Sequence, residues 1–182
     1  MPKFRKINNS KWYVITGGPS SGKTTVLREL EKLGYIIYSE AARVFIDKEM
    51  KGGKSLEEIR RNEAEFQRKV LKIKIKIEKS APPNKIVFFD RAIPDSIAYY
   101  QVVGLDSSEV LKFCQKGRYR KIFLFEQLPF DQDYARIEDG KTIKKLNKLL
   151  KESYENLGYE VIEIPAMPVE ERLKKILSEI KK

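Results

Sequence analysis

The stretch Val14-Ile15-Thr16-Gly17-Gly18-Pro19-Ser20-Ser21-Gly22-Lys23-Thr24-Thr25 constrains this chain more than any other. It fits the pattern G-x-x-x-x-G-K-[ST], with Gly17 and Gly22 as the fixed glycines and Lys23-Thr24 closing it. The apolar run Trp12 to Ile15 before it reads as a buried strand. Val26, Leu27, Leu30 and Leu33 follow at helical spacing, and Gly34 sits where a helix C-cap belongs. Strand, glycine loop and helix together make a phosphate cradle. Backbone N–H groups crowd around a polyphosphate, and the new helix points its positive dipole end at the same charge. Gly17, Gly18, Pro19, Ser20, Ser21, Gly22, Lys23, Thr24 and Thr25 are therefore the expected nucleotide-binding residues. Lys23 is expected to reach the β- and γ-phosphates, and the Thr24 hydroxyl to sit on Mg²⁺. Such a chain is expected to bind a nucleoside triphosphate.

Composition narrows the chemistry. Histidine is absent and Cys114 is the sole cysteine. Ser-His-Asp triads, Cys-His pairs, an internal disulfide and cysteine- or histidine-based metal sites are thereby excluded. Acid–base work falls to Asp, Glu, Lys or Tyr. At 182 residues, with 41% apolar and 35% charged residues, the chain is expected to form one globular domain over 1–182. No apolar run is long enough to span a bilayer, and the N-terminus lacks the apolar core of a secretion signal, so a cytoplasmic location is expected.

The net charge of +11 invites a nucleic-acid or anionic-membrane partner. The lysines, however, are spread over many segments and interleaved with glutamates, which favours solvated helix faces over a nucleic-acid stripe. Arg68 to Lys79 is the best candidate for a basic patch.

Residues 1–11 read as a polar lead-in. Tyr35–Tyr38 reads as a second strand, followed by a helix from Ala41 to about Glu49 and a break at Lys51–Lys54. Ser55-Leu56-Glu57-Glu58 has capping-box spacing and predicts one long helix carrying Ile59, Phe66, Val70, Ile73 and Ile77 on one side. Lys72 to Ile77 also alternates like a strand, but no turn signal separates it from the helical pattern, and Pro82-Pro83 ends the run. Lys85–Phe89 and Lys121–Phe125 read as buried parallel strands. Helices are expected over Asp95–Val102 and Ser107–Lys116, the latter with Gly117 past its end. The polar stretch Phe130 to Lys141, within a lid-like region of about 128–141, reads as a flap. Ile143, Leu146, Leu150, Tyr154 and Leu157 stripe a helix closed by Gly158. Tyr159–Ile164 makes a fifth strand, and Pro168 opens a last helix with Val169, Leu173, Ile176, Leu177 and Ile180 inward. Alternating strands and helices predict an α/β fold, a parallel sheet with helices on both faces.

Ligands of open parallel sheets sit beyond the carboxyl ends of the strands, which selects the polar residues there. Asp90, after Ile86-Val87-Phe88-Phe89, can hold Mg²⁺ opposite Thr24, or cap the next turn. Arg91 can clamp a phosphate or the acceptor, or form a structural ion pair with Asp95 or Glu40. Glu40 can position or deprotonate a substrate hydroxyl, or cap the helix opening at Ala41. Arg43, one turn on, can face the same cleft or pair with Glu40. Arg136 in the flap is the first choice for a cation closing on the transferred group, with Lys141, Arg118 and Arg120 also basic in this region.

These blocks together resemble a known family. Ile15–Thr25, Ser39-Glu-Ala-Ala-Arg43, Phe89-Asp-Arg-Ala-Ile-Pro-Asp-Ser96, Leu128-Pro-Phe-Asp-Gln-Asp133 with Arg136 and Glu138-Asp139, and Leu157-Gly-Tyr are similar to the P-loop ATPase/kinase family that includes the nicotinamide riboside kinase domain of NadR. The resemblance implies a three-layer, nucleoside-kinase-like P-loop fold with five parallel strands, Mg²⁺ with ATP or GTP, and a lid over the phosphates. It adds weight to Glu40, Asp90, Arg91 and Arg136 as catalytic residues alongside Lys23, and leaves the substrate open.

The leading expectation is a kinase moving the γ-phosphoryl of ATP or GTP to a nucleoside-like or other small metabolite, with Glu40, Arg43 and Arg91 on the acceptor. The alternative is an ATPase- or GTPase-type regulatory module that grips a protein or anionic-membrane partner through its flap. A nucleic-acid-binding ATPase is a weaker third.

Overall fold

The computed structural model describes residues 10–114, 118–128 and 140–180. Strand β1 (Trp12–Thr16) runs into the glycine loop and helix α1 (Lys23–Lys32). Then come β2 (Ile36–Tyr38), α2 (Ala41–Lys51), α3 (Leu56–Arg60), α4 (Glu63–Ser80), β3 (Val87–Asp90) and α5 (Asp95–Val102). A one-turn α6 (Ser108–Leu111), β4 (Lys121–Phe125), α7 (Gly140–Glu155), β5 (Val161–Ile164) and α8 (Val169–Ile180) complete the order. The five strands form one parallel sheet in the order β2-β3-β1-β4-β5. This is the expected helix-flanked α/β architecture.

Alternation along β1 explains why both faces are covered. Tyr13 and Ile15 point to one side, with Phe88, Phe123 and Phe125, against Val26, Leu27 and Leu30 of α1 and Ile176 of α8. Trp12 and Val14 point to the other, with Val87, Phe89 and Ile122, against Tyr154 of α7. Leu124, Leu146, Leu150 and Ala98 extend that layer. A sheet buried on both faces needs near-continuous apolar strands, which is how β1, β3 and β4 read.

Four sequence expectations change. The long helix predicted from Ser55 is two: α3 ends at Arg60, and Asn62 breaks the run in an extended conformation (φ −116°) and caps α4 by accepting from Glu65 N at 3.0 Å. The capping box at Ser55 is present but serves only the short α3. The helix expected over Ser107–Lys116 stops at Leu111, because Phe113 and Cys114 donate to residues three back, tightening the chain into turns. Leu33 is not on the core stripe; it is the C-cap of α1 and 56% exposed. Gly140 and Lys141, assigned to the flap, lie in the first turn of α7, while residues 130–139 of that flap lie outside the described residues, as does Gly117. Lys72–Ile77 is helical, as the unbroken periodicity indicated.

The Arg68–Lys79 segment does not present an uninterrupted basic surface. Arg68 lies 3.6 Å from Glu109, Lys69 lies 2.7 Å from Glu65, and Lys74 turns inward with 4% exposure. No helix among the described residues is long and apolar enough to cross a membrane.

Asn62→Ala removes the side-chain acceptor at the start of α4. Urea unfolding of this variant should show a stability loss of about 1 kcal/mol. An unchanged midpoint would mean that packing alone sets the α3–α4 break.

Candidate functional site

Three positive φ angles shape the phosphate loop: Gly17 at 137°, Ser20 at 61° and Gly22 at 80°. Positive φ values interspersed among ordinary ones turn a backbone so that its N–H groups converge on an anion. Close packing adds to the glycine requirement. A Cβ on Gly17 would meet Phe125 O at 2.6 Å, and one on Gly22 would meet Arg172 Nη1 at 2.5 Å.

Lys23, at 6% exposure, folds back over the loop. Its Nζ donates to Gly17 O at 2.9 Å, Gly18 O at 2.7 Å and Ser21 Oγ at 3.1 Å. Burial holds its pKa below the ordinary lysine range, and neighbouring Arg91 adds to that, against the pull of Asp90 and Glu40. Gly18 N donates to Asn147 Oδ1 of α7 at 2.7 Å, and Arg172 of α8 donates to Ser21 O at 3.0 Å. The loop is thus braced by helices on both faces of the sheet.

Arg91 takes up a left-handed conformation (φ 63°) at the end of β3. That turn carries its guanidinium into the centre of the site. Nη2 donates to Gly17 O at 2.9 Å; Nη1 lies 3.1 Å from Glu40 Oε1 and also donates to Tyr99 OH. Of the two ion pairs weighed from sequence, the partner is Glu40. Asp95 instead accepts from Thr16 Oγ1, Tyr154 OH and Ala92 N, tying β1, α5 and α7 together behind the loop. Glu40 stands at the N-cap position of α2, yet its side chain makes no capping hydrogen bond. Arg91 holds its pKa below the usual carboxylate range, outweighing burial.

These groups line a cavity of about 400 Å³. Pro19, Ser20, Gly22, Lys23 and Thr24 form one wall; Glu40 and Arg43, with Arg91 and Tyr99, form another. Arg60 of α3 and Phe66, Gln67, Val70 and Lys74 of α4 close the far side. Gly17, Gly18 and Ser21 lie beneath this surface, Thr25 is exposed on α1 away from it, and Arg136 lies outside the described residues.

Gln67 and Lys74 were not foreseen as site residues. The available signal was the stripe Phe66, Val70, Lys74, Glu78, which places charged groups at the four-residue spacing of a buried face. Asn147 and Arg172 gave no signal, because each reaches the loop from more than a hundred residues away.

Asp90 does not line the cavity, but its Oδ1 is buried with no hydrogen-bond partner. Burial, and then the Glu40 charge, raise its pKa above the ordinary aspartate range. An orphaned carboxylate oxygen near Lys23, and the exposed Thr24 on the cavity wall, suit a hard cation that takes its other oxygens from phosphates and water. Among the described residues no three His, Cys, Asp or Glu side chains converge on a metal site, so these two would have to share the ion with its substrate.

Residues 12–172 match the family model described as AAA domain. The chain belongs to the AAA domain family. Its members' P-loop fold recurs in solved structures of low identity. Thymidylate kinase from Ehrlichia chaffeensis is 14% identical with a TM-score of 0.66, covering 96% of this chain and 100% of its own. Shikimate kinase from Aquifex aeolicus is 20% identical with a TM-score of 0.55, over 93% of this chain and 96% of its own. NadR in complex with NAD and AMP-PNP is 15% identical with a TM-score of 0.62; the match covers 96% of this chain and half (50%) of NadR. No curated protein matches the sequence significantly. This AAA domain therefore has the fold of P-loop nucleotide and small-molecule kinases.

Asp90→Asn should stabilise the ligand-free protein at neutral pH by about 1–3 kcal/mol, because a carboxyl whose folded pKa is raised weakens the fold once it ionises. The same variant should lose magnesium-dependent stabilisation by ATP. In the wild type that stabilisation should fade as pH drops through the raised Asp90 pKa and the carboxylate is neutralised. A variant melting lower than wild type without ligand, with magnesium dependence intact, would remove Asp90 from the cation site. Gly22→Ala should weaken ATP binding at least ten-fold by calorimetry, since both the backbone angle and Arg172 oppose a methyl group there.

Proposed function

We propose that this AAA domain is a magnesium-dependent kinase that moves the γ-phosphoryl group of ATP or GTP to an oxygen of a small, nucleoside-like metabolite. One observation carries the reading: a single cavity has the phosphate loop on one wall and a carboxylate, Glu40, pinned by Arg91 on another. The kinases among the structural neighbours support the class of reaction.

In this mechanism the loop amides hold the triphosphate, and Lys23 exchanges its carbonyl partners, Gly17 O and Gly18 O, for β- and γ-phosphate oxygens. Thr24 and Asp90 would hold Mg²⁺, which neutralises charge on the phosphate oxygens. Glu40, kept ionised by Arg91, accepts the proton of the acceptor hydroxyl. The acceptor oxygen bonds to the γ-phosphorus as the bridging P–O bond breaks, and the nucleoside diphosphate departs with those electrons. Arg91 is a positioning residue here: its fork fixes the distance between Glu40 and the loop. Arg43 lines the acceptor side, and Arg136 is proposed from its sequence position as the cation that closes on the transferred group. The domain is taken to span 1–182 and to work in the cytoplasm.

Labelled ATP or GTP, offered with a panel of nucleosides, nucleotides and hydroxylated metabolites, should pass label to at least one acceptor. Glu40→Gln should then lower kcat by about 10²- to 10⁴-fold while affinity for a non-hydrolysable ATP analogue stays within a few-fold. Tight nucleotide binding with label released only as inorganic phosphate would turn the reading toward a hydrolase or switch. Arg91→Lys should cost activity almost as heavily, because an ammonium cannot span Gly17 O and Glu40 together.

A further inference from the structure

The walls of the cavity are unequally charged. Five cationic side chains, Lys23, Arg43, Arg60, Lys74 and Arg91, line it against one carboxylate, Glu40. Given the kinase reading above, on which this step rests, Lys23 is committed to the triphosphate and Arg91 to Glu40. Arg43, Arg60 and Lys74 remain on the acceptor side. Arg60 donates from Nε to Glu63 at 2.5 Å and lies over the Phe66 ring at 4.5 Å, which leaves the end of its fork at the cavity wall. Arg43 is exposed in the first turn of α2, at the same opening.

Lys74 is the decisive member. It is 4% exposed, and its hydrogen bond with the described residues is a single one, to Ser96 Oγ at 3.0 Å. No carboxylate of the described residues lies within salt-bridge distance of it. An ammonium has three N–H donors; Asp95, Glu40 and Glu78 support its charge only from beyond salt-bridge distance, so with one neutral hydroxyl as direct partner a buried cation still has donors to offer an arriving anion. Burial already presses its pKa below the ordinary lysine range. A helix facing the core could carry leucine or methionine there at no such cost, so the position suits a bound anion.

We infer that the phosphoryl acceptor itself carries an oxyanion, a phosphomonoester or a carboxylate, and that Lys74, assisted by Arg43 and Arg60, selects it. The surplus of positive charge equally disfavours an acceptor bearing a fixed cation, whose approach those three residues would repel.

Calorimetry on the full chain, saturated with magnesium and a non-hydrolysable ATP analogue, tests this with matched compounds. One arm compares nucleosides with their 5′-monophosphates; the other compares polyhydroxy acids with their amides. In one arm the anionic mate should bind at least about ten-fold tighter than its neutral mate. Lys74→Met should bring that ratio to within about two-fold, and Lys74→Arg should keep most of it. If Lys74→Met does not fold, as judged by circular dichroism, the pair Arg43→Gln and Arg60→Gln must lower the ratio instead. Neutral mates that bind as tightly, a preference that survives these substitutions, or no binding by any anionic member would each overturn the inference. The arm that responds identifies phosphate or carboxylate. Failure of the kinase reading looks different: the anion preference is present, yet label from γ-labelled ATP reaches none of the compounds that bind.

Discussion

A single guanidinium joins the two sides of the site. Arg91 leaves β3 in a left-handed turn and bonds Gly17 O of the phosphate loop on one side and Glu40 at the end of β2 on the other. Buried charges are expensive to desolvate, and a pair of this kind adds little net stability by itself. What it supplies is distance: two strand ends that share no hydrogen bonds, β1 and β2, are held at fixed separation across β3. The strained backbone at Arg91 belongs with this constraint, since left-handed non-glycine residues persist where surroundings over-determine them.

Around that contact the site holds its charges in a poised state. Lys23 spends its donors on loop carbonyls, Asp90 leaves an oxygen unmet, and Lys74 has one neutral partner. Lys23 is satisfied only by atoms of the loop it would have to leave, while Asp90 and Lys74 are buried polar groups only partly satisfied by the protein, and all three lie around one cavity or directly behind it. A fold does not accumulate such costs in one place for stability; a polyanionic ligand with its counter-ion would relieve them together. Satisfied contacts lie one layer back, where Asp95 gathers Thr16, Tyr154 and Ala92 N, and Glu78 gathers Arg118, Tyr119 and Ile93 N. The rigid layer fixes the strand ends, and the unsatisfied layer faces the ligand.

The break between α3 and α4 has a consequence for the cavity. Asn62 restarts the helix, so that Phe66, Gln67, Val70 and Lys74 lie along one edge of α4 toward β2 and α2. In one uninterrupted helix from Ser55, Arg60 would be locked in register with them. As two pieces, α3 can place Arg60 on the cavity wall instead, where it stacks on Phe66.

Much of this was legible in the amino-acid order because it is local. Glycine loop, apolar strands, helical stripes and strand-end Glu40 and Asp90-Arg91 depend on neighbours within a few residues, and their periods and spacings are read directly. Leu33 and the α3–α4 break misled for the same reason, since a period says which face is apolar but not where a cap wins over continuation. The tertiary structure alone decided which alternative each strand-end residue took: Arg91 with Glu40 and not Asp95, and Glu40 toward the cavity and not onto its helix. It alone brought Asn147 and Arg172 to the site, from 129 and 151 positions away, and showed that the buried stripe of α4 delivers Lys74 to the cavity. Hydrogen bonds over such separations depend on strand order and crossover packing, and no local pattern encodes either.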